Sequence, residues 1–521
     1  MGNPLGATWR SHLGIFRSGR NRRFWLAAFL TVCFPNPKAN TMTLNNKLRV
    51  LLADQPAKGT NIDSSYSNLG LLYLASTLRQ DFGQDVQVDY LGPHQTLAEH
   101  IEWVKDYKPD IYAAGFTSKS CKRALETFRA VKDALPDVPI ITGGPHPTAM
   151  PEKVLEAFPF DAAVLGEGER TFSEVIGAYL GTATTKAKPD LSNIAGIAYL
   201  NDGKYTQNPL RPVIENLDTI PFPAWDLIDF KDYPGMHLKR KPIESSLLVS
   251  RGCPFYCCFC SQPIWKQQKP WLRHRSPENI CEEIEILYKR GVREIYFSSD
   301  ELNFNHDWAI QLCDAVRKLG HKDLYFQCNM RADKVTDELS KALASINCWM
   351  IHLGIESAND RVLKGIGKSV TVEQIEKAAV SLSKAGIYVF AFMMLYQAWE
   401  ENDALQFETP DEVNKSLNWA WKMFNKNAIR YMSWQYCTPM PGARLFRIAE
   451  KYNLYRGASD DVWMRFDEHE ACMNLPGISV SKMKWQLKKG ILMKDWFIVR
   501  SGGLSWKHLW RAWENFTAFF K

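Results

Sequence analysis

Four cysteines stand within eight residues, in the stretch SRGCPFYCCFCSQP at 250–263. Read as Cys253-x3-Cys257-x2-Cys260, with Cys258 as a bystander, they place three thiolates on one short loop, where they can converge on a metal centre. Tetrahedral zinc is one occupant, but it needs a fourth ligand nearby, and Cys258 alternates to the wrong side of so short a loop. A four-iron cluster held by three cysteines is the other, and it leaves one iron open to a further ligand. The other eight of the twelve cysteines are scattered singly from Cys33 to Cys472. In a chain of 521 residues that usage fits a reducing compartment, where crowded thiols hold metal more often than they form disulfides.

The composition, 45% hydrophobic and 23% charged, is enough to bury large cores in two or three domains. A net charge of +7 is mild for this length and does not imply nucleic-acid binding. Arg10, Arg17, Arg20, Arg22 and Arg23 precede an apolar run, Phe24–Phe34, of signal-peptide proportions but too short to span a bilayer. No clean cleavage site follows, and residues 1–45 read as an extension ahead of the folded part, whose setting is expected to be cytoplasmic.

The elements that must position the cysteines follow from the apolar pattern. Short strands are expected at 48–53, 86–91, 111–116, 138–144 and 162–166, with helical spacing at 68–80 and 124–135 between them. Such alternation predicts an α/β, doubly wound parallel sheet over 46–182, with ligands beyond the carboxyl ends of its strands. The loops there read TSKS (117–120), GGPHPT (143–148) and GEGERT (166–171). Glycines such as Gly143 and Gly144 admit a close-lying flat ligand. Residues 183–244 form a connector with a hairpin around 199–205, ordered by proline and aromatics.

The cysteines follow a strand at 245–250. Further strands are expected at 294–299, 324–329, 350–355, 388–395 and 429–436, separated by helices, one opened by a capping box at Thr371 and Gln374. Six such units over 245–454 predict a partial (β/α)6 barrel whose function gathers at the carboxyl ends of its strands. Beyond it, 455–521 is expected to be mainly helical, mixing lysines with Trp485, Trp496, Trp506, Trp510 and Trp513. A basic, aromatic helix of this kind suits a membrane surface, a core cap or a pocket wall.

The cysteine loop, with the segments GIESANDRVLKGIGK and TPMPGARLF downstream, resembles the radical S-adenosylmethionine (SAM) family. GGPHPT followed by DAAVLGEGE resembles the flavodoxin-like cobalamin-binding domain that precedes many of those barrels. The resemblance implies a [4Fe-4S] cluster on Cys253, Cys257 and Cys260, SAM on the open iron, and cobalamin. It places SAM contacts at Phe259, Ser299, Asp300, Arg331, Glu356 and Ser357, with a structural ion pair between Arg331 and Glu356 as the other reading of those two. Cobalamin contacts fall at Ser118, Gly143, Gly144, His146, Gly166, Glu167 and Gly168. Family members that ligate cobalt from below carry Asp-x-His-x-x-Gly after the first strand; here the loop is DQPAKGTNIDSS, without histidine. His146 is expected to pack the loop or touch the ligand edge. After the fifth strand LYQAWEENDALQFETPDEV departs from the family's Gly-x-Pro-Gly-Glu turn, which suggests a reshaped substrate mouth.

The resemblance also implies the reaction: methylation of an unactivated carbon, or occasionally phosphorus, through a 5′-deoxyadenosyl radical. A radical cyclase or rearrangement, as in tetrapyrrole ring formation, uses the same parts, and a non-enzymatic corrinoid carrier is the reading outside enzymology. Expected partners are a bulky apolar substrate such as a lipid or tetrapyrrole and an electron donor such as flavodoxin or ferredoxin. Peripheral membrane contact is a further expectation.

Overall fold

The computed structural model describes residues 47–501, apart from 60–64, 184, 186, 237, 267 and 457–469. The N-terminal basic and apolar stretch and Trp506, Trp510 and Trp513 lie outside the described residues. Within 46–521 the chain forms one compact unit. No helix among the described residues is long and apolar enough to cross a membrane.

The first sheet has seven strands: β1 (Leu48–Ala53), β2 (Val86–Leu91), β3 (Ile111–Gly115), β4 (Ile140–Gly143), β5 (Ala162–Val164), β6 (Ile197–Asn201) and β7 (Lys204–Gln207). Their order is β2-β1-β3-β4-β5-β6-β7. The first five are parallel, in the flavodoxin-like order, and the chain reverses direction across the sheet between β1 and β3. Apolar residues on both faces explain the near-continuous hydrophobic runs, since helices cover each side. The expected hairpin forms, but it joins this sheet as an antiparallel edge. The sheet therefore runs to Gln207, past the expected boundary at 182.

The second sheet contains six parallel strands: β8 (Glu244–Leu248), then, beyond the short antiparallel pair β9 (Ser250–Arg251) and β10 (Arg273–His274), β11 (Glu294–Ser298), β12 (Tyr325–Met330), β13 (Cys348–Glu356) and β14 (Tyr388–Leu395). A hairpin of β15 (Ala398–Glu401) and β16 (Ala404–Phe407) follows, and β17 (Tyr431–Tyr436) closes the order β17-β14-β13-β12-β11-β8. This is the expected partial barrel. Alternation sets its two faces: Ile295 and Phe297 of β11 are buried against the helices, whereas Tyr296 and Ser298 line a cavity. Most of its helices begin at side-chain caps, including the Thr371–Gln374 box and a second box at Thr409 and Glu412.

The segment after β14 was expected to reshape the substrate mouth. Instead it makes the β15–β16 hairpin, which buries Trp399 against Gly365 and does not line the cavity. Gln397 Nε2 bonds the Glu356 carbonyl at 3.1 Å, so the hairpin braces β13 from outside.

Helix Val480–Arg500 lies along β17, with Gly490 against the Trp434 ring and Phe497 stacked on Phe424, centroids 3.6 Å apart. Trp485 and Trp496 are exposed on it. A Cβ at Gly490 would sit 2.6 Å from Trp434 Cγ. Gly490→Leu is therefore expected to destabilise the protein by about 1–3 kcal/mol. Urea unfolding checks this, and a loss below about 0.5 kcal/mol would show that the helix does not press on β17.

Candidate active site

A cavity of about 1470 Å3 lies at the carboxyl ends of both sheets. The loops after β1, β3, β4 and β5 line it on one side; Arg251 and Gly252, the end of β11 and Asn329 line it on the other. This is where each topology leaves a crevice: strand ends supply backbone groups that no neighbouring strand satisfies.

On the first side, Gly115, Gly143, Gly144, Gly166 and Gly168 form part of the lining. A Cβ on Gly143 would meet the Val164 carbonyl oxygen at 3.2 Å, and one on Gly144 (φ +95°) the Phe116 backbone at 3.2 Å. These two glycines let adjacent loops pack into one floor, while at Gly166 (φ +74°) a Cβ would meet nothing. The PHPT part of GGPHPT is a short helix, Pro145–Ala149. It turns His146 away from the cavity: the ring is fully buried, with Nδ1 2.8 Å from Ser118 Oγ. Burial pushes His146 down to about 4, so the imidazole is neutral. Neither His146 nor Ser118 lines the cavity.

Glu167 lines the cavity, but its carboxylate is engaged elsewhere. It pairs with Arg251 at 3.0 Å and Arg273 at 2.9 Å, and accepts from the Ile214 backbone at 2.7 Å. Glu169 also pairs with Arg251. Burial opposes the charge on Glu167, yet the two arginines outweigh it and hold the carboxyl below its ordinary value. Burial likewise opposes the Arg251 charge, and Glu169 and Glu167 overcome it. This network joins the loop after β5 to the residue two before Cys253. Sequence reading missed it because Arg251 and Arg273 give no local sign of a partner more than eighty residues upstream.

Cys253, Cys257 and Cys260 are half-buried on one loop, whereas Cys258 is buried and its sulfur donates to the Ala398 carbonyl at 3.4 Å. The Cys258 backbone also bonds Ile366 and Leu445, the latter in the helix that follows TPMPG. Gly252 (φ +89°) admits no side chain, since a Cβ would lie 1.8 Å from the Trp271 carbonyl oxygen. Asp300 accepts from the Gly252 N–H at 3.1 Å and from Gln262, tying the loop to the end of β11. Burial raises all three thiols, Cys253 to about 12 and Cys260 to about 11, with Lys368 and Arg331 acting oppositely on Cys257.

Arg331 and Glu356 do not pair with each other. Arg331 bonds Asp333 at 2.8 Å and lies 3.6 Å over the Phe255 ring; Glu356 pairs with Lys368 at 3.1 Å. Ser357 is fully buried and donates to Glu408, whose carboxyl burial pushes up to about 8. Phe259 packs against the barrel core. Arg331, Glu356, Ser357 and Phe259 are thus outside the cavity lining, while Ser299 and Asp300 are in it. The neighbouring Glu301 is buried, with Oε2 unpartnered and a carboxyl that burial pushes up to about 8 against the pull of Lys368 and Arg331.

The pattern of the Radical SAM superfamily matches residues 247–408, and that of the B12 binding domain matches residues 58–176. A protein of Pyrococcus horikoshii called an uncharacterized methyltransferase is 30% identical, across 82% of this chain and 90% of its own length. The chain belongs to the radical SAM enzymes that carry a B12-binding domain. The anaerobic magnesium-protoporphyrin IX monomethyl ester cyclase of Cereibacter sphaeroides is 28% identical over 75% of this chain and 61% of its own. Among solved structures, the radical SAM methyltransferase TsrM from Kitasatospora setae, with cobalamin and a [4Fe-4S] cluster bound, matches with TM-score 0.62 at 16% identity, covering 80% of each chain. OxsB, a cobalamin-dependent radical SAM enzyme, matches with TM-score 0.63 at 17% identity, covering 86% of this chain and 66% of that one. At these identities the structural matches establish the fold.

The residues present fit the family's cofactors. Three half-buried thiols on one loop, with the Cys258 sulfur turned away to the Ala398 carbonyl, suit a cluster held by three cysteines. The cavity wall carries buried polar atoms without partners at Gln55, Ser250, Ser299 and Asn329, as a wall built for a polar ligand would.

Two measurements check this geometry. Alanine at Cys253, Cys257 or Cys260 is expected to abolish iron retention after anaerobic reconstitution, while Cys258→Ala keeps the full iron and sulfide content. The reverse pattern for Cys257 and Cys258 would overturn the assignment. Arg251→Ala leaves the buried Glu169 without its cation and Glu167 with Arg273 alone, and is expected to cost about 3–5 kcal/mol in chemical unfolding. A cost under about 1 kcal/mol would mean that the seam does not depend on the pair.

Proposed function

We propose that this enzyme transfers a methyl group to an unactivated carbon of a bulky, largely apolar substrate. The observation that carries this reading is the single cavity shared by the ends of the two sheets. When bound, the cluster and SAM supply a 5′-deoxyadenosyl radical and cobalamin carries the methyl group. Cys253, Cys257 and Cys260 hold the cluster, and the nearby cations Lys368 and Arg331 offset its negative charge. Ser299, Asp300 and the unpartnered Glu301 carboxyl suit the amino end of SAM. Gly143, Gly144 and Gly166 suit a flat corrinoid, while Glu167 serves the seam with Arg251. Holding both cofactors in one enclosure positions the substrate between them, which is the protein's share of the catalysis.

Aromatic wall residues support a bulky apolar substrate such as a lipid or tetrapyrrole: Phe116, Phe172, Trp265, Tyr66 and Tyr296 line the cavity, the last two stacked at 6.0 Å. The eleven described cysteines are all free, which supports a reducing, cytoplasmic setting; the electron that SAM cleavage needs is assigned to a donor such as flavodoxin or ferredoxin. A second reading, radical cyclisation without methyl transfer, draws support from the cyclase likeness.

The two readings separate by isotope. Reduced holoenzyme is expected to release 5′-deoxyadenosine slowly from SAM alone. In a deletion strain, the product that disappears is expected to return, carrying label, when enzyme and methyl-labelled SAM act on its accumulated precursor. An unlabelled product bearing a new ring or hydroxyl would overturn methylation in favour of cyclisation.

A further inference from the structure

The floor of the cavity has one side chain whose polar atoms lack partners in the loop leaving β1. β1 and β3 flank the point where the strand order reverses, so this loop and the loop after β3 border the middle of the crevice. Asp54 is fixed by hydrogen bonds from Asn68 (2.8 Å) and Tyr90. Backbone bonds from Ala57 to Pro93 and from Lys58 to Gln95 hold the loop beyond. Between them Gln55 lines the cavity, 5% exposed, with both Oε1 and Nε2 buried and without a hydrogen-bond partner. A buried carboxamide with neither its donor nor its acceptor paired is costly to maintain, so the site calls for a ligand.

Other polar floor groups are already committed. Thr142 and Thr148 donate to the carbonyls of Ala114 and Gly144, and Glu167 is held by the two arginines. Among the described residues no histidine lines the cavity: His100 bonds Tyr112 and His146 bonds Ser118. Residue 56, next along the loop, is a proline and has no N–H to offer.

We propose that the Gln55 carboxamide is the protein group that meets the corrinoid at cobalt on the face turned toward the first sheet. A neutral amide there is a weak oxygen donor, unlike an imidazole, and leaves that face of the metal lightly held. The proposal rests on the cobalamin reading, and its test is arranged to fail separately from it.

The probe is cob(II)inamide, which lacks the nucleotide base of cobalamin, so that any nitrogen on cobalt comes from the protein. Bound to the wild-type chain it is expected to show no nitrogen splitting in electron paramagnetic resonance. Gln55→His is expected to introduce a three-line nitrogen splitting, and Gln55→Ala, with corrinoid still bound by optical titration, to shift the cobalt hyperfine pattern. Nitrogen splitting in the wild type would overturn the proposal. So would an unchanged hyperfine pattern in Gln55→Ala, whether or not Gln55→His folds, and the cobalamin reading would then stand. Failure of the wild-type chain to bind either cob(II)inamide or cobalamin would overturn both.

Discussion

Arg251 and Arg273 are directly opposite each other in the antiparallel pair β9–β10, and only Glu167 and Glu169 make that arrangement tolerable. Like charges facing each other across strands repel, and buried charges without partners cost several kcal/mol each. Glu167, in the loop after β5, and Glu169, in the first turn of the helix that follows, neutralise the two guanidinium groups. The strand pair that opens the cysteine loop is therefore stable only when the first sheet is docked against it. Gly252, which follows Arg251, has no room for a side chain, so the position imposed on Arg251 passes with little slack to Cys253.

The chemistry of the cavity follows from that seam. On one side, glycines let three loops close into a floor without side chains in the way; on the other, Asp300 anchors the cysteine loop to the end of β11. Behind the cysteines, Gly354 makes space for Glu356 and Lys368, whose atoms would lie within 2.8 Å of a Cβ placed there. Burial opposes the charge of Lys368, and Glu356, Cys257 and Glu301 more than restore it. Glu356, in the left-handed region at φ +67°, thus keeps a cation beside the thiols. It is a supporting residue for the cluster loop and lies outside the cavity lining.

Strands were the most legible part of the sequence, since β1, β2 and β14 span the very residues of their apolar runs. A short apolar run rich in β-branched and aromatic residues needs no tertiary knowledge to be read. The cysteine spacing was equally local, and Cys258 was separable because alternation on a tight loop turns its sulfur the other way. What escaped were features set by distant partners. The β6–β7 hairpin was visible as a hairpin, but its pairing with β5 was not. GGPHPT looked like a loop because its prolines and glycines mark turns, although proline is well suited to the first turn of a helix, as at Pro145. Glu167, Arg331 and Ser357 sit in segments that the sequence marks as candidate binding loops, and in the structure their side chains bond Arg251, Asp333 and Glu408. Gln55 gave no signal in sequence; it stands out only through its burial and its unpaired amide.

The central claim is that the cluster and the corrinoid share one enclosure. Low-temperature electron paramagnetic resonance tests it most directly, by measuring spin relaxation of bound cob(II)alamin with the cluster oxidised and then reduced. Relaxation is expected to quicken when the cluster becomes paramagnetic. Identical relaxation in the two states, with both cofactors present at full occupancy, would contradict the shared enclosure.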